Sequence, residues 1–214
     1  MAPILGYWNT RALGDPIRLL LTYAGVEFED KRYQEPKEWF SEKFNLGFDF
    51  PNIPYYIDGD LKLTQFLVIM RYLARKHGMF SNSDEEVLRM ETGEQMTVDI
   101  LWTVVRVWFN EEALKDPAKA LADTLPSKLD QWSTFIGDGK FVLGDTLTYV
   151  DFFLYSVLDY IRIFVPDFMV KQATLQAYLD RIEALPAINK YINSDKFNRM
   201  PITGPSALWG NKPE

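Results

Sequence analysis

Tyr7 and Trp8 follow the apolar run Ile4–Leu5 and Gly6, and a second apolar run, Ile17, Leu19, Leu20 and Leu21, comes after Gly14-Asp15-Pro16. The first run reads as a strand and the second as a helix, with Asp15 placed to cap its free N–H groups and Pro16 at its first position. A phenol therefore sits where a strand gives way to a helix, the usual location of a site in an open α/β layer. A neutral phenol there could donate a hydrogen bond to an anion. Half-buried packing is the commoner fate of a strand-end tyrosine, so position alone leaves both readings open.

Other catalytic chemistries are sparse. The 214 residues include no cysteine, which excludes a disulfide framework, a thiol nucleophile and a thiolate metal site. No metal site and no permanently bound cofactor is expected. The lone histidine, His77, lies in Arg75-Lys76-His77-Gly78, which reads as a basic helix end stopped by glycine, with His77 a solvated cation. A formal charge of −7 argues against nonspecific binding to nucleic acid or to an anionic membrane. The N-terminus carries no long apolar stretch of the signal-peptide kind, and no apolar run approaches the ~18 residues of a membrane span. A soluble, cytoplasmic protein is expected.

The elements that must position the phenol alternate over residues 1–80. Ile4–Tyr7 reads as a strand, Asp15 to Tyr23 as a helix closed by Gly25, Val26–Arg32 as a strand, and Pro36–Leu46 as a short helix ended by Gly47. Asp58-Gly59-Asp60 between Tyr55-Tyr56-Ile57 and Leu61–Leu63 is a strong hairpin signal, and a helix from about Gln65 to His77 follows. The order β-α-β-α-β-β-α implies a small mixed sheet with helices on it. A polar linker, residues 81–84, leads to residues 85–214, where strand signals stop. Helical spacing marks Glu85 to Phe109, then the run carrying Leu125, Leu129, Trp132 and Ile136, and later Leu175, Tyr178, Leu179 and Ile182. Thr148-Tyr149-Val150-Asp151 has capping-box spacing and opens a helix to about Val165, apolar nearly all round and thus central to an all-helical second domain. The fold class is α/β plus all-α.

At this level the chain resembles the glutathione transferases, specifically the mu class and the similar enzymes of flatworms and mites. The landmarks are Ile4-Leu5-Gly6-Tyr7-Trp8, Glu42-Lys43-Phe44-Asn45-Leu46-Gly47, Asp49-Phe50-Pro51-Asn52-Ile53-Pro54-Tyr55-Tyr56-Ile57-Asp58-Gly59, Leu63-Thr64-Gln65, Arg71 to His77, and the tail Trp209-Gly210-Asn211-Lys212. They cover nearly the whole chain. The short Gln34-Glu35-Pro36-Lys37 segment places it nearer the invertebrate branch. The resemblance implies a thioredoxin-like N-terminal domain (1–80) that binds glutathione, and a helical C-terminal domain (85–214) that supplies a pocket for electrophiles. It implies an enzyme joining glutathione, a co-substrate, to apolar electrophiles. Tyr7 would donate its hydrogen bond to the glutathione thiolate, since only the thiolate attacks well and a free thiol near pKa ~8.5 is mostly protonated at neutral pH. Trp39 and Lys43 would hold the glycyl carboxylate, with Asn52 a further polar contact. Pro54, as a cis-proline, would expose the backbone of Ile53 to the cysteinyl part. Gln65 and the backbone of Phe66 would meet the γ-glutamyl carboxylate, Trp8 and Leu13 would border the tripeptide, and Asp99 would cross a homodimer interface to the γ-glutamyl amine. Phe50 matches the aromatic key inserted into the partner subunit.

Two departures bear on function. The family places Ser after the glutamine where this chain has Phe66. The hydroxyl is lost, at a cost to binding of about 1.5–3 kcal/mol, and the ring is in a position to obstruct the pocket. That departure supports an alternative reading, a transferase-derived ligand-binding or structural protein without turnover. Phe109 stands where many relatives carry a tyrosine, beside a bulky Trp108. The electrophile pocket expected from Trp8, Leu13, Phe109 and Leu208 is flat and apolar, suited to aromatic chlorides and poor for epoxides, which need a proton donor at the leaving oxygen.

Overall fold

The computed structural model describes residues 2–213. Strand β1 (Ile4–Trp8) leads through helix α1 (Gly14–Tyr23) to strand β2 (Glu29–Tyr33) and helix α2 (Pro36–Glu42). A hairpin of β3 (Tyr55–Asp58) and β4 (Leu61–Thr64) precedes helix α3 (Phe66–Lys76). The rest is helical: α4 (Asp84–Trp108), α5 (Glu111–Leu114), α6 (Pro117–Leu121), α7 (Leu125–Ile136), α8 (Tyr149–Phe164), α9 (Pro166–Val170), α10 (Ala173–Glu183) and α11 (Pro186–Ile192). No helix among the described residues is long and apolar enough to cross a membrane.

The sheet order is β2-β1-β3-β4, with β1 parallel to β2 and antiparallel to β3, and β3 antiparallel to β4. Gly59 takes the positive φ that the tight β3–β4 turn requires. The two-residue strand period sorts side chains to opposite faces. Leu5 and Tyr56 join the main core with Leu20 of α1 and Ile69 of α3, whereas Tyr55 joins Tyr33 and Trp39 in a separate aromatic cluster on the α2 side. Helices α1 and α3 pack in turn against α8, which also contacts α4, α9 and α10. The all-round apolar sequence of α8 fits that central place. Its start is fixed by the expected capping box, in which Thr148 N–H donates to Asp151 at 2.7 Å. Asp151 also accepts from Val142 N–H and Tyr178 Oη, so one carboxylate ties α8 to a loop and to α10.

Three expectations need correction. Asp15 does not cap α1, which begins one residue earlier at Gly14, with no side-chain cap and with Pro16 third in the helix. The Asp15 carboxylate instead turns toward Arg11, accepting from its Nε at 2.9 Å, because a buried guanidinium is costly without an anion beside it. Arg11 also donates to Asp159 of α8 at 2.6 Å, and Asp159 accepts in turn from Arg162. Second, His77 is half-buried at the end of α3; burial and then the neighbouring Lys76 hold its pKa below the ordinary value, so it is neutral at pH 7 rather than a solvated cation. Third, strand 26–32 is shorter and later, at Glu29–Tyr33, and the helix after Pro36 ends at Glu42. The short helices α5, α6, α9 and α11 were not foreseen; each is seven residues or fewer, too short for a periodic apolar pattern to stand out.

The Arg11–Asp159 pair yields a stability prediction. Burial raises the Asp159 pKa, but Arg11 and Arg162 outweigh it and hold the carboxyl below its ordinary range. Its contribution is therefore present above about pH 4 and is lost as the pH falls through the lower folded-state value. Asp159→Ala, which leaves the buried Arg11 with Asp15 as its remaining carboxylate, should cost about 2–4 kcal/mol in urea unfolding at pH 7. The gap from wild type should narrow in acid.

Candidate active site

The pairing of the strands gathers one edge of the sheet into a site. Gly6 of β1 lies opposite Tyr55 at the start of β3, Tyr55 lies opposite Thr64 at the end of β4, and Trp8 lies beside Tyr33 at the end of β2. The loop before α1, the whole of α2, the segment before β3 and the start of α3 therefore converge there. This is where Tyr7, Trp8, Leu13, Trp39, Lys43, Asn52, Ile53, Pro54 and Gln65 lie.

Tyr7 is only 6% exposed, and its oxygen accepts a long hydrogen bond, 3.4 Å, from Leu13 N–H. Burial pushes its pKa up to about 12, against the opposing pull of the Leu13 bond and the Arg18 charge. The phenol is thus neutral at physiological pH. With Leu13 supplying the oxygen's donor, the phenolic proton has no acceptor among the described residues and is free for an incoming anion. A β-carbon at Gly14 would lie 2.6 Å from Tyr7 Cδ1, so the bare glycine lets α1 start directly against the ring. Arg18, buried in an otherwise apolar turn of α1, donates to Thr10 O at 2.7 Å and pairs with Asp30, fixing the chain just beyond Trp8.

Trp39 is 3% exposed, stacked on Tyr55 at 6.0 Å and set edge-on to Tyr33. The Tyr33 and Tyr55 hydroxyls are 2.9 Å apart, and Tyr33 donates to Glu42, which Lys31 also holds. Lys43, just beyond α2, lies over the rings of Trp39, Phe40 and Phe44 at 4.9–5.7 Å, with no carboxylate partner among the described residues. The Ile53–Pro54 peptide is cis as expected. Asn52, however, accepts from the N–H of Ile53 at 3.0 Å, so that backbone donor is already engaged. Gln65, at the head of α3, has φ +72°, a conformation non-glycine residues rarely adopt and one that concentrates at functional sites.

Phe66 begins α3 and is buried edge-on against Phe153 of α8 at 4.8 Å. Its ring is part of the core and does not obstruct the cleft, contrary to the expectation. Asp99 lies apart on α4, exposed, with Lys128 at 4.0 Å. Phe50 is 75% exposed in the loop that Thr64 Oγ1 braces through the Phe50 carbonyl.

The residues expected on the electrophile side lie on distant pieces of chain. The tail segment 201–204 returns to the site: Arg11 and Ala12 N–H donate to the carbonyls of Pro201 and Ile202, and Gly204 sits close to the Trp8 indole. Leu208 N–H donates to Trp108 O at 3.0 Å, which brings half-exposed Leu208 next to half-exposed Phe109. Trp108 itself adds no bulk to a pocket; it is 2% exposed, packed between Trp209, Tyr160 and Phe164, since its position ends α4 on the inward face. Sequence reasoning missed Arg18, the Tyr33–Tyr55 pair, Tyr160 and the Trp209 contact. Only Arg18, a lone cation among Ile17, Leu19, Leu20 and Leu21, carried a visible signal.

The family model for the glutathione S-transferase N-terminal domain matches residues 3–75, and that for the C-terminal domain matches residues 98–195. A glutathione S-transferase of Dermatophagoides pteronyssinus is 42% identical, over 97% of this chain and 96% of its own. The class-mu 26 kDa isozyme 51 of Fasciola hepatica is also 42% identical, over 96% of this chain and 95% of its own. The crystal structure of the glutathione S-transferase Blo t 8 superposes with a TM-score of 0.91 at 36% identity, covering 97% of this chain and all of that one.

The aromatic cluster generates a prediction. A β-carbon at Gly6 would overlap the Tyr55 ring, so Gly6→Ala must push Tyr55 off Trp39. Chemical denaturation should show a loss of about 1–3 kcal/mol, the usual cost of overpacking a core.

Proposed function

This chain belongs to the glutathione S-transferase family and is a glutathione transferase; on that footing we propose how its residues join reduced glutathione to apolar electrophiles. The observation that carries the assignment is the buried phenol of Tyr7, whose proton has no acceptor among the described residues, at the edge where the cis-proline and the head of α3 converge. A hydrogen bond to an ion contributes roughly 1.5–3 kcal/mol, and one pKa unit corresponds to about 1.36 kcal/mol, so the phenol lowers the thiol pKa by about one to two units. The thiolate then attacks the electrophilic carbon, a carbon–sulfur bond forms, and a leaving group such as chloride departs with the electron pair.

In this reading residues 1–80 hold the tripeptide and residues 85–214 supply the electrophile pocket. Trp39 and the unpaired Lys43 take the glycyl carboxylate. The cysteinyl part lies along Ile53, chiefly on its carbonyl while Asn52 occupies the N–H. The γ-glutamyl carboxylate meets Gln65 and the first N–H groups of α3, where the helix dipole favours an anion. Trp8, Leu13, Phe109 and Leu208 face the electrophile. A homodimer is proposed in the cytoplasm, with exposed Phe50 as its apolar key and Asp99 of the second copy reaching the γ-glutamyl amine. No resident cofactor takes part. Phe66 turned into the core reduces the departure from the family to one missing hydroxyl, which removes the steric half of the argument for a non-catalytic carrier.

Two substitutions test the assignment in a steady-state assay with 1-chloro-2,4-dinitrobenzene at pH 6.5. Tyr7→Phe should lower kcat/KM about ten- to a hundred-fold, the fraction of thiolate that one to two pKa units control. Turnover unchanged by that substitution would remove Tyr7 from its role. Phe66→Ser should lower the KM for glutathione about ten-fold or more by restoring a charge-assisted bond, while costing about 3–5 kcal/mol of stability because it removes a ring from the core. An unchanged KM would show that Gln65 and the backbone already suffice.

A further inference from the structure

The long bond from Leu13 N–H to Tyr7 depends on the peptide just before it. Ala12 has φ +26°, a strained value for a residue with a β-carbon. Such strain persists only where the surroundings over-determine it. Both polar groups of Ala12 are held from outside its own loop: its N–H donates to Ile202 O at 2.8 Å, and its carbonyl accepts from Tyr160 Oη at 2.8 Å. The neighbouring Arg11 N–H is likewise taken by Pro201 O at 3.0 Å.

The segment that supplies these acceptors is closed on itself. Ile202 and Thr203 N–H both donate to Gly210 O, and Thr203 Oγ1 donates to Trp209 O at 2.5 Å. The loop is clamped to the helical domain by Trp209, whose ring stacks on Trp108 at 5.3 Å and against Phe164 at 4.4 Å. The same Trp108 packs on Tyr160. One aromatic cluster thus carries both the strap and the hydroxyl that grip Ala12.

We propose that the C-terminal strap, residues 201–210, and Tyr160 are positioning elements for thiol activation: together they hold Ala12 so that Leu13 N–H occupies the Tyr7 oxygen and turns the phenolic proton toward the sulfur. Trp209 acts through the strap and Tyr160 through the Ala12 carbonyl; neither touches the reacting atoms. When either grip is lost, Ala12 relaxes to negative φ, Leu13 N–H swings away, and the Tyr7 hydroxyl is free to rotate out of line. The tail then governs the reactivity of the thiol as well as walling the electrophile pocket.

This inference rests on Tyr7 being the thiolate donor, and the test separates the two. The ultraviolet absorbance of enzyme-bound glutathione thiolate is titrated for wild type, Tyr7→Phe, Tyr160→Phe, Trp209→Phe and Trp209→Ala, with thermal unfolding of each. Tyr160→Phe keeps the ring and removes only the hydroxyl. It should raise the bound-thiol pKa by about 0.5–1 unit, a three- to ten-fold loss of thiolate at pH 6.5 that higher pH restores. Trp209→Ala should shift it in the same direction, and Trp209→Phe, which keeps an aromatic clamp, should return it to the wild-type value. A merely structural role would lower the melting temperature and leave the titration in place, and that result in folded Tyr160→Phe overturns the proposal. If Trp209→Ala does not fold, Tyr160→Phe alone decides. A titration that shifts in Tyr7→Phe but not in Tyr160→Phe sinks this inference and leaves the function standing; no shift in Tyr7→Phe sinks the assignment of Tyr7 itself.

Discussion

One buried guanidinium organises this molecule. Arg11 is 2% exposed and lies between Asp15 and Asp159, each similarly buried, with the rings of Tyr160 and Phe197 about 5 Å away. Burying a charge is costly unless partners surround it, so the guanidinium has no tolerable alternative position in the folded chain. Because Asp15 belongs to α1 and Asp159 to α8, this constraint fixes how the α/β unit sits on the helical one. Arg11 also lies three residues beyond Trp8, the end of the strand that carries Tyr7. The same ion pair that docks the two units therefore sets the starting point of the loop in which Ala12 and Leu13 must be placed.

The glutathione side obeys a different logic, of aromatic surfaces rather than charge. Gly6 is needed because Tyr55 crosses the strand at that point, and Tyr55 crosses there because Trp39 stacks on it. Tyr33 closes the cluster with one hydroxyl bond to Tyr55 and another to Glu42. Rings of this kind have few rotamers and large contact areas, so they give a rigid platform without an ordered loop. The tripeptide proposed to bind here would gain from such a platform because less side-chain freedom is lost on binding. The cation beside it, Lys43, is lodged over three rings and has no carboxylate partner among the described residues.

Local signals in the sequence were sound where local forces decide. Asp58-Gly59-Asp60 became a tight hairpin, Thr148 and Asp151 became a capping box, and the all-apolar run after them became the central helix. The convergence of Tyr7, Trp39, Pro54 and Gln65 was legible only through resemblance, because sheet register brings them together and no short pattern records it. Misreadings share one cause. Asp15 has the look of a helix cap and Trp108 the look of a pocket wall, yet Asp15 answers to the buried Arg11, which Asp159 holds from far along the chain, and Trp108 answers to Trp209. Ala12 shows the same limit: nothing in its type hints at positive φ, and the two hydrogen bonds that hold it come from residues far along the chain.

In the reaction proposed for Tyr7, the acidity difference between phenol and thiol decides which group carries the charge. With Tyr7 pushed up to about 12 by burial and a free thiol near ~8.5, passing the phenolic proton to sulfur is unfavourable by about 3.5 units, or roughly 5 kcal/mol. The charge therefore stays on sulfur, where nucleophilicity is needed, and the phenol remains a donor. Burial is what secures this, since it opposes formation of a phenolate more strongly than the Arg18 charge favours it. The same burial removes competing water from the hydrogen bond, so a single hydroxyl is worth more here than on a surface. In the proposed mechanism the donor activates the thiol only while its proton points at the sulfur, which would make the Leu13 N–H behind the oxygen as much a part of the chemistry as the hydroxyl in front.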